Sequence, residues 1–196
     1  MSILNTTDIK NIVETICSEI NVLAAQEHLT HAKQCVEIGV NEFYGTYDPK
    51  LYGRTGGLKT FAKPEIVGNE DFVFQFGPEY GQGSYSVGLE YIFIKIFMLG
   101  WHGGADSGLG HPASGIPYYR TPYPYYNRWG RQAIKSPTSP YQNIINHWNA
   151  YCQNEWPSIK QQIIDNVIKK YWDKIEKYLT LEQLNNVRIE IITDIE

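Results

Sequence analysis

Residues 100–141 limit the possible folds of this chain more than any other part, because no helical or strand period survives in them. These 42 residues contain seven glycines, six prolines, six tyrosines and two tryptophans. A loop of more than about 15 residues is uncommon in a compact domain and is usually functional or disordered. Disordered segments are poor in aromatic residues. We therefore expect this segment to bury its rings.

The charge of this segment is opposite to that of the remaining chain. The segment contains four basic residues and one acidic residue: Arg120, Arg128, Arg131 and Lys135, with Asp106. Its net charge is therefore +3. The whole chain has a net charge of −4, so the remaining residues carry −7. Tyr, Trp and Arg dominate energetically important interface positions. We predict that the segment forms a protein interface. Packing onto its own domain and stacking on single-stranded nucleic acid are the alternatives.

Helices are predicted on both sides of the segment. Apolar residues recur every three or four positions over residues 8–40, which predicts a long first helix that ends near Gly39. The same pattern returns over residues 142–179. Trp156-Pro157 should divide that stretch in two, because proline is disfavoured inside a helix and tolerated in its first turn.

Strands are predicted between the helices and near the C-terminal end. Residues 58–67 and 71–77 form a hairpin around the turn Gly68-Asn69-Glu70, and residues 187–191 alternate as a final strand. Residues 87–99 fit a strand by composition and a buried helix by spacing. The whole pattern predicts one α+β domain over residues 1–196: a long N-terminal helix, a small antiparallel sheet, C-terminal helices, a terminal strand and an extended loop.

Composition excludes several classes of protein. With 42% apolar and 19% charged residues in 196, the chain is globular rather than disordered. Its charge of −4 gives no overall attraction to nucleic acid or to an anionic membrane. No apolar stretch approaches the roughly 20 residues of a membrane span, and the first residues lack a signal peptide. Three cysteines suit a reducing compartment. We expect a soluble protein made in the cytoplasm.

Three groups of residues have side chains suited to metal binding or nucleophilic catalysis. They are His28, His31 and Cys35 on the first helix; His102, Asp106 and His111 in the segment; and His147 with Cys152 on a later helix. Each group has a simpler explanation as polar or semi-buried structural residues, and no spacing matches a common metal or hydrolase motif. We predict no catalytic residue, metal or cofactor.

A family resemblance is carried by residues 42–58. After an aromatic pair come Tyr47-Asp48-Pro49, then Tyr52, then Arg54-Thr55-Gly56-Gly57-Leu58. This pattern resembles the segment that leads from the first helix into the sheet in head–tail joining and tail-completion proteins of tailed bacteriophages. Trp101-His102-Gly103-Gly104 is similar to that family's helix-and-turn element. The resemblance covers roughly residues 8–104.

The resemblance implies a virion structural protein rather than an enzyme. It would assemble as a ring in the neck or tail, in contact with copies of itself and with neighbouring neck or tail proteins, without a cofactor, a membrane or specific nucleic-acid binding. It also implies a helix over residues 87–99. There are two alternative functions. One is a metal-assisted hydrolase that uses His102, Asp106 and His111, and the other is a module that binds peptide or glycan.

The predicted site has two parts. A structural turn is expected at Asp48, Pro49, Gly56 and Gly57. The predicted subunit or partner interface consists of Tyr52, Arg54, Trp101, His102, Tyr118, Tyr119, Arg120, Tyr125, Tyr126, Arg128, Trp129 and Arg131. A ring built from heterologous contacts needs two different complementary surfaces on each subunit. The cationic segment and the acidic remainder of the chain could supply them.

Overall fold

The computed structural model describes residues 6–46, 57–82, 88–102 and 134–176, which form a mostly helical α+β fold. The elements in chain order are α1 (Thr6–Gly45), a 3-10 turn (Gly57–Phe61), β1 (Ala62–Val67), β2 (Asp71–Phe76), a second 3-10 turn (Pro78–Tyr80), α2 (Leu89–Ile92), a π-helix (Phe93–Met98), β3 (Trp101–His102), β4 (Ile134–Lys135), α3 (Pro140–Asn154) and α4 (Trp156–Ile175). β1 pairs with β2, and β3 with β4. The predicted fold class is confirmed, while the strand predicted at 187–191 lies outside the described residues.

The predicted helices are confirmed, although their ends differ. α1 continues to Gly45, so Gly39 lies inside the helix and not near its end. α3 begins at Pro140 because Ser139 caps it: the Ser139 Oγ accepts a hydrogen bond from the Gln142 N–H at 3.1 Å. The helix breaks at Glu155 and α4 starts at Trp156, as the Trp156-Pro157 pair predicts.

The strand predicted over residues 58–67 is wrong in its first part, since β1 begins only at Ala62. Leu58 and Phe61 are both buried, and a 3-10 turn places residues three apart on one side. The hydroxyl of Thr60 donates to the Gly57 carbonyl at 2.7 Å, which holds the turn closed. The rest of the hairpin is confirmed, and Gly68 takes the positive φ of +65° that its tight turn requires.

Residues 89–98 are helical, which confirms the assignment implied by the resemblance. The four-residue α2 continues as a π-helix, in which the Leu99 N–H donates to the Ile94 carbonyl at 3.1 Å. Phe93 and Phe97, four residues apart, lie on one side of this helical stretch, where their rings stack with centroids 5.6 Å apart. A π-turn in so short an apolar stretch has no period that the sequence would reveal.

The first of two compact units comprises described residues 6–30, 65–73 and 151–176. In it, α1 and α4 bury an aliphatic core against each other, formed by Ile16, Ile20, Ile164, Val167 and Ile175. On the surface, Lys170 Nζ at 2.6 Å and Tyr171 OH at 2.8 Å donate to the Glu19 carboxylate. These hydrogen bonds lower the pKa of Glu19.

The second compact unit comprises described residues 31–46, 57–64, 74–82, 88–102 and 134–150. Its buried core is built from α1, the first 3-10 turn, β1, the helical residues 89–98 and α3, and consists of Cys35, Val36, Val40, Phe43, Leu58, Phe61, Ala62, Ile92, Phe97 and Ile144. Partly buried aromatic side chains, Phe74, Phe76 and Tyr141 among them, pack around it. The single domain predicted for residues 1–196 stays a prediction.

Candidate functional site at the ends of segment 103–133

A short antiparallel ribbon joins the two ends of residues 103–133. β3 and β4 pair so that Trp101 lies opposite Lys135 and His102 opposite Ile134. Paired residues in such a ladder have Cα atoms only about 5 Å apart. The pairing therefore holds the two ends of residues 103–133 next to each other, and we name β3 and β4 together the base ribbon.

Hydrogen bonds fix the base ribbon to the second unit. The Ser136 N–H donates to the Gly100 carbonyl at 2.9 Å, and the Gly100 N–H donates to the Ile96 carbonyl at 2.9 Å. The buried Ser136 hydroxyl also donates to Thr46 Oγ1 at 3.2 Å. The residues next to β3 and β4 are thus tied to each other, to the π-helix and to the residue that follows α1.

Gly100 occupies a position that a larger residue would strain. Its φ is +74°, in the left-handed region that favours glycine. A Cβ atom at this position would lie 2.7 Å from the Thr138 carbonyl oxygen and 3.1 Å from the Ser139 Cα. Both neighbours are main-chain atoms, which cannot rotate away as a flexible side chain would.

We expect Gly100→Ala to destabilise the second unit by about 1–3 kcal/mol, because it combines backbone strain with a close contact. Thermal unfolding followed by circular dichroism would measure the loss. Gly45→Ala is the matched control, since a Cβ at Gly45 meets nothing within 4 Å and its φ is not positive. Equal melting temperatures for the two variants would contradict the role assigned to Gly100.

Aromatic side chains lie beneath the start of α3. Tyr141, in its first turn, packs its ring edge-on against Phe76 with centroids 5.1 Å apart, and 6.5 Å from Phe97. Phe97 in turn contacts the ring of Phe61 at 5.7 Å. The first turn of α3, the helix that follows β4, is therefore held in place by packed aromatic rings.

Few of the predicted interface residues lie in the described part of the chain. Trp101 is half-buried in β3, and the main chain of His102 forms the rest of that strand. Gly57 begins the first 3-10 turn. The other predicted interface and turn residues lie outside the described residues: Asp48, Pro49, Tyr52, Arg54, Gly56, Tyr118, Tyr119, Arg120, Tyr125, Tyr126, Arg128, Trp129 and Arg131.

His28 lies among aromatic rings of the first unit. Its ring is 4.0 Å from that of Trp156 and 5.5 Å from that of Phe72, centroid to centroid. The Tyr151 hydroxyl lies 3.3 Å from His28 Nδ1. Among residues 6–46, 57–82, 88–102 and 134–176, no three His, Cys, Asp or Glu side chains are grouped to hold a metal ion.

The remaining candidate residues for metal binding or catalysis are not brought together into one site among the described residues. His147 Nε2 forms a 2.9 Å contact with a Glu42 carboxylate oxygen. Burial raises the pKa of the Cys152 thiol, which disfavours the reactive thiolate. Asp106 and His111, which the hydrolase alternative needs, lie outside the described residues.

Sequence reasoning missed the buried polar residues near the base ribbon. Ser136, Ser139 and Asn143 are all buried, and the Asn143 amide donates to the Gly39 carbonyl at 3.1 Å. Ser139-Pro140 is a helix-start signal that could have been recognised, because serine favours the N-cap and proline the first turn. Nothing local marks Asn143, whose partner is more than a hundred residues away in sequence.

No protein-family model, curated protein or solved structure matches the chain. None of the helices in the described residues combines the length and apolar character needed to cross a membrane. The function must therefore be inferred from the chain's own residues and geometry.

Proposed function

We propose that this chain is a structural subunit of the neck of a tailed-bacteriophage virion and not an enzyme. Copies of it assemble into a ring that joins the head to the tail and contacts neighbouring neck or tail proteins. The observation that carries the proposal is the base ribbon, which pairs the two ends of an arginine- and tyrosine-rich segment and is hydrogen-bonded to the second unit.

The anchoring of the segment supports an interface role. Binding residues are disproportionately found on loops that a rigid scaffold positions. Here the scaffold is the aromatic core of the second unit, tied to the ribbon through Gly100 and Ser136. A segment held at both ends also loses less conformational freedom on docking than one held at a single end, which lowers the cost of binding.

The distribution of charge supports assembly with copies of the same chain. Residues 100–141 are +3 and the remainder is −7. A subunit in a ring presents one surface to the copy before it and a different surface to the copy after it. Arginines can pair with carboxylates bidentately across such a contact.

The order of elements agrees with the resemblance. Residues 47–56 lie between the end of α1 and the 3-10 turn that leads into β1. In the phage family, the corresponding segment leads from the first helix into the sheet. The helical residues 89–98 likewise come directly before Trp101-His102.

Deletion of the gene from the phage or prophage genome that carries it tests the proposal. Electron microscopy of the lysate should show filled heads and separate tails, with infectivity reduced by several orders of magnitude. Expression of the wild-type chain in trans should restore joined particles, which controls for effects on neighbouring genes. Joined, infectious virions without this chain would overturn the proposal.

A further inference from the structure

A chain of hydrogen bonds joins the end of α1 to the base ribbon inside the second unit. Thr46 directly follows α1, and its N–H and its hydroxyl both donate to the Phe43 carbonyl, at 3.1 Å and 2.7 Å. The Ser136 hydroxyl donates to the same Thr46 Oγ1 at 3.2 Å. The Ser136 N–H donates to the Gly100 carbonyl at 2.9 Å. We name the hydrogen bond between the Ser136 and Thr46 hydroxyls the hydroxyl bridge.

The hydroxyl bridge lies where two segments of the proposed interface join the described chain. Residues 47–56 begin directly after Thr46, and residues 103–133 begin and end at the base ribbon. Thr46 and Ser136 are 90 positions apart in sequence, yet one hydrogen bond links them. Ser136 is buried, so its hydroxyl would lose this acceptor at a cost in free energy if the end of α1 and the ribbon moved apart.

We propose that the hydroxyl bridge couples the end of α1 to the base ribbon, so that the two open and close together. Opening of either side breaks the bridge, and each side is therefore more stable while the other is closed. Such coupling is reciprocal. A partner that fixes residues 103–133 would thus also favour the closed form of the turn from which residues 47–56 begin, and the reverse would hold equally.

The coupling would make the two segments act as one binding surface. This consequence rests on the proposed function, because it takes both segments as parts of the proposed interface. The coupling itself is a property of the isolated chain, since all the hydrogen bonds that carry it lie within the second unit. It can therefore be tested without a partner.

The other end of residues 47–56 has a hydroxyl contact of its own. Thr60 Oγ1 donates to the Gly57 carbonyl at 2.7 Å and accepts from the Gln82 N–H at 2.9 Å. Neither of these hydrogen bonds involves the base ribbon. Thr60 has the same side chain as Thr46 and belongs to the same compact unit, so it provides a matched control.

Amide hydrogen exchange of the full chain, followed residue by residue by NMR spectroscopy, tests the coupling. Thr46→Val keeps the shape of the side chain and removes the hydroxyl. The Ser136 N–H should then exchange about three- to tenfold faster, the change in a local opening equilibrium that the loss of one net hydrogen bond produces. Ser136→Ala should accelerate the Thr46 N–H by a similar factor. Thr46→Ser keeps the hydroxyl and should leave the rates of the wild type.

Thr60→Val makes the same replacement outside the hydroxyl bridge and should leave the Ser136 N–H unchanged. Circular dichroism of each variant checks that the fold is intact. The inference is overturned if either variant of the bridge leaves the amide across from it at the wild-type rate, or if Thr60→Val accelerates the Ser136 N–H as much as Thr46→Val does. Unprotected Thr46 or Ser136 amides in the wild type would also overturn it. The gene-deletion experiment judges the neck function separately.

Discussion

Phe97→Ala should lower the free energy of unfolding of the second unit by about 3–5 kcal/mol, the range typical of phenylalanine truncation in a core. Phe97 is fully buried, and its ring lies 5.7 Å from that of Phe61, 5.6 Å from that of Phe93 and 6.2 Å from that of Phe76. Truncation removes these contacts and leaves a cavity bounded by rings from separate elements, which cannot all move inward.

Urea denaturation followed by far-ultraviolet circular dichroism measures this loss. Ile94→Ala is the matched control, because it truncates a large side chain on the same π-helix that is 42% exposed and should cost well below 1 kcal/mol. Phe97→Leu should fall between the two, since leucine keeps most of the buried apolar surface. A midpoint for Phe97→Ala equal to that of Ile94→Ala would show that the ring is not part of the core.

Loss of the Phe97 ring should also weaken the support of the base ribbon. Tyr141 packs within 6.5 Å of the Phe97 ring, centroid to centroid, in the first turn of the helix that follows β4. Ile96, beside Phe97, accepts the hydrogen bond from the Gly100 N–H. Loss of the Phe97 ring therefore weakens the supports of both strands of the ribbon, in addition to its effect on stability.

The elements that sequence reasoning predicted correctly are those with a repeated local pattern. α1 and α4 show apolar residues every three or four positions, and β2 alternates, so local periodicity determines them. The 3-10 turn at residues 57–61 was mistaken for strand because Leu58 and Phe61 enclose only one turn, too short to display a period. The helical residues 89–98 required the resemblance, since β-branched and aromatic residues there are equally typical of a strand.

The candidate site was only partly predictable for a different reason. Its composition and charge are visible in the sequence, but β3 and β4 have two residues each and pair across the whole intervening segment. Their pairing depends on Gly100 and on Ser136, a buried residue whose partners include Thr46. Such contacts are set by tertiary packing, to which a local pattern gives no access.

Gly39 shows the same limit most clearly, because a glycine in a long helix is easily taken for a sign of the helix end. It is instead a point of close approach between α1 and α3: a Cβ at Gly39 would lie 2.7 Å from the Ile144 backbone nitrogen and 2.8 Å from its Cγ1. The Gly39 carbonyl accepts the hydrogen bond from the Asn143 side chain. The absence of a side chain is what allows both contacts.

Gly39→Val should therefore destabilise the second unit by about 3 kcal/mol. The added carbons meet main-chain atoms of α3, so the helices must separate, and the buried Asn143 amide then loses its carbonyl partner at a cost of about 1–3 kcal/mol. Gly39→Ala should also destabilise, although alanine is intrinsically better than glycine in a helix by about 1 kcal/mol. At Gly45, where a Cβ meets nothing within 4 Å, alanine should stabilise or have no effect. Urea denaturation of the three variants measures these differences in stability. If Gly39→Ala stabilised the chain as Gly45→Ala does, α1 and α3 would not approach as closely as described, and the packing assigned to the helix that follows the base ribbon would be wrong.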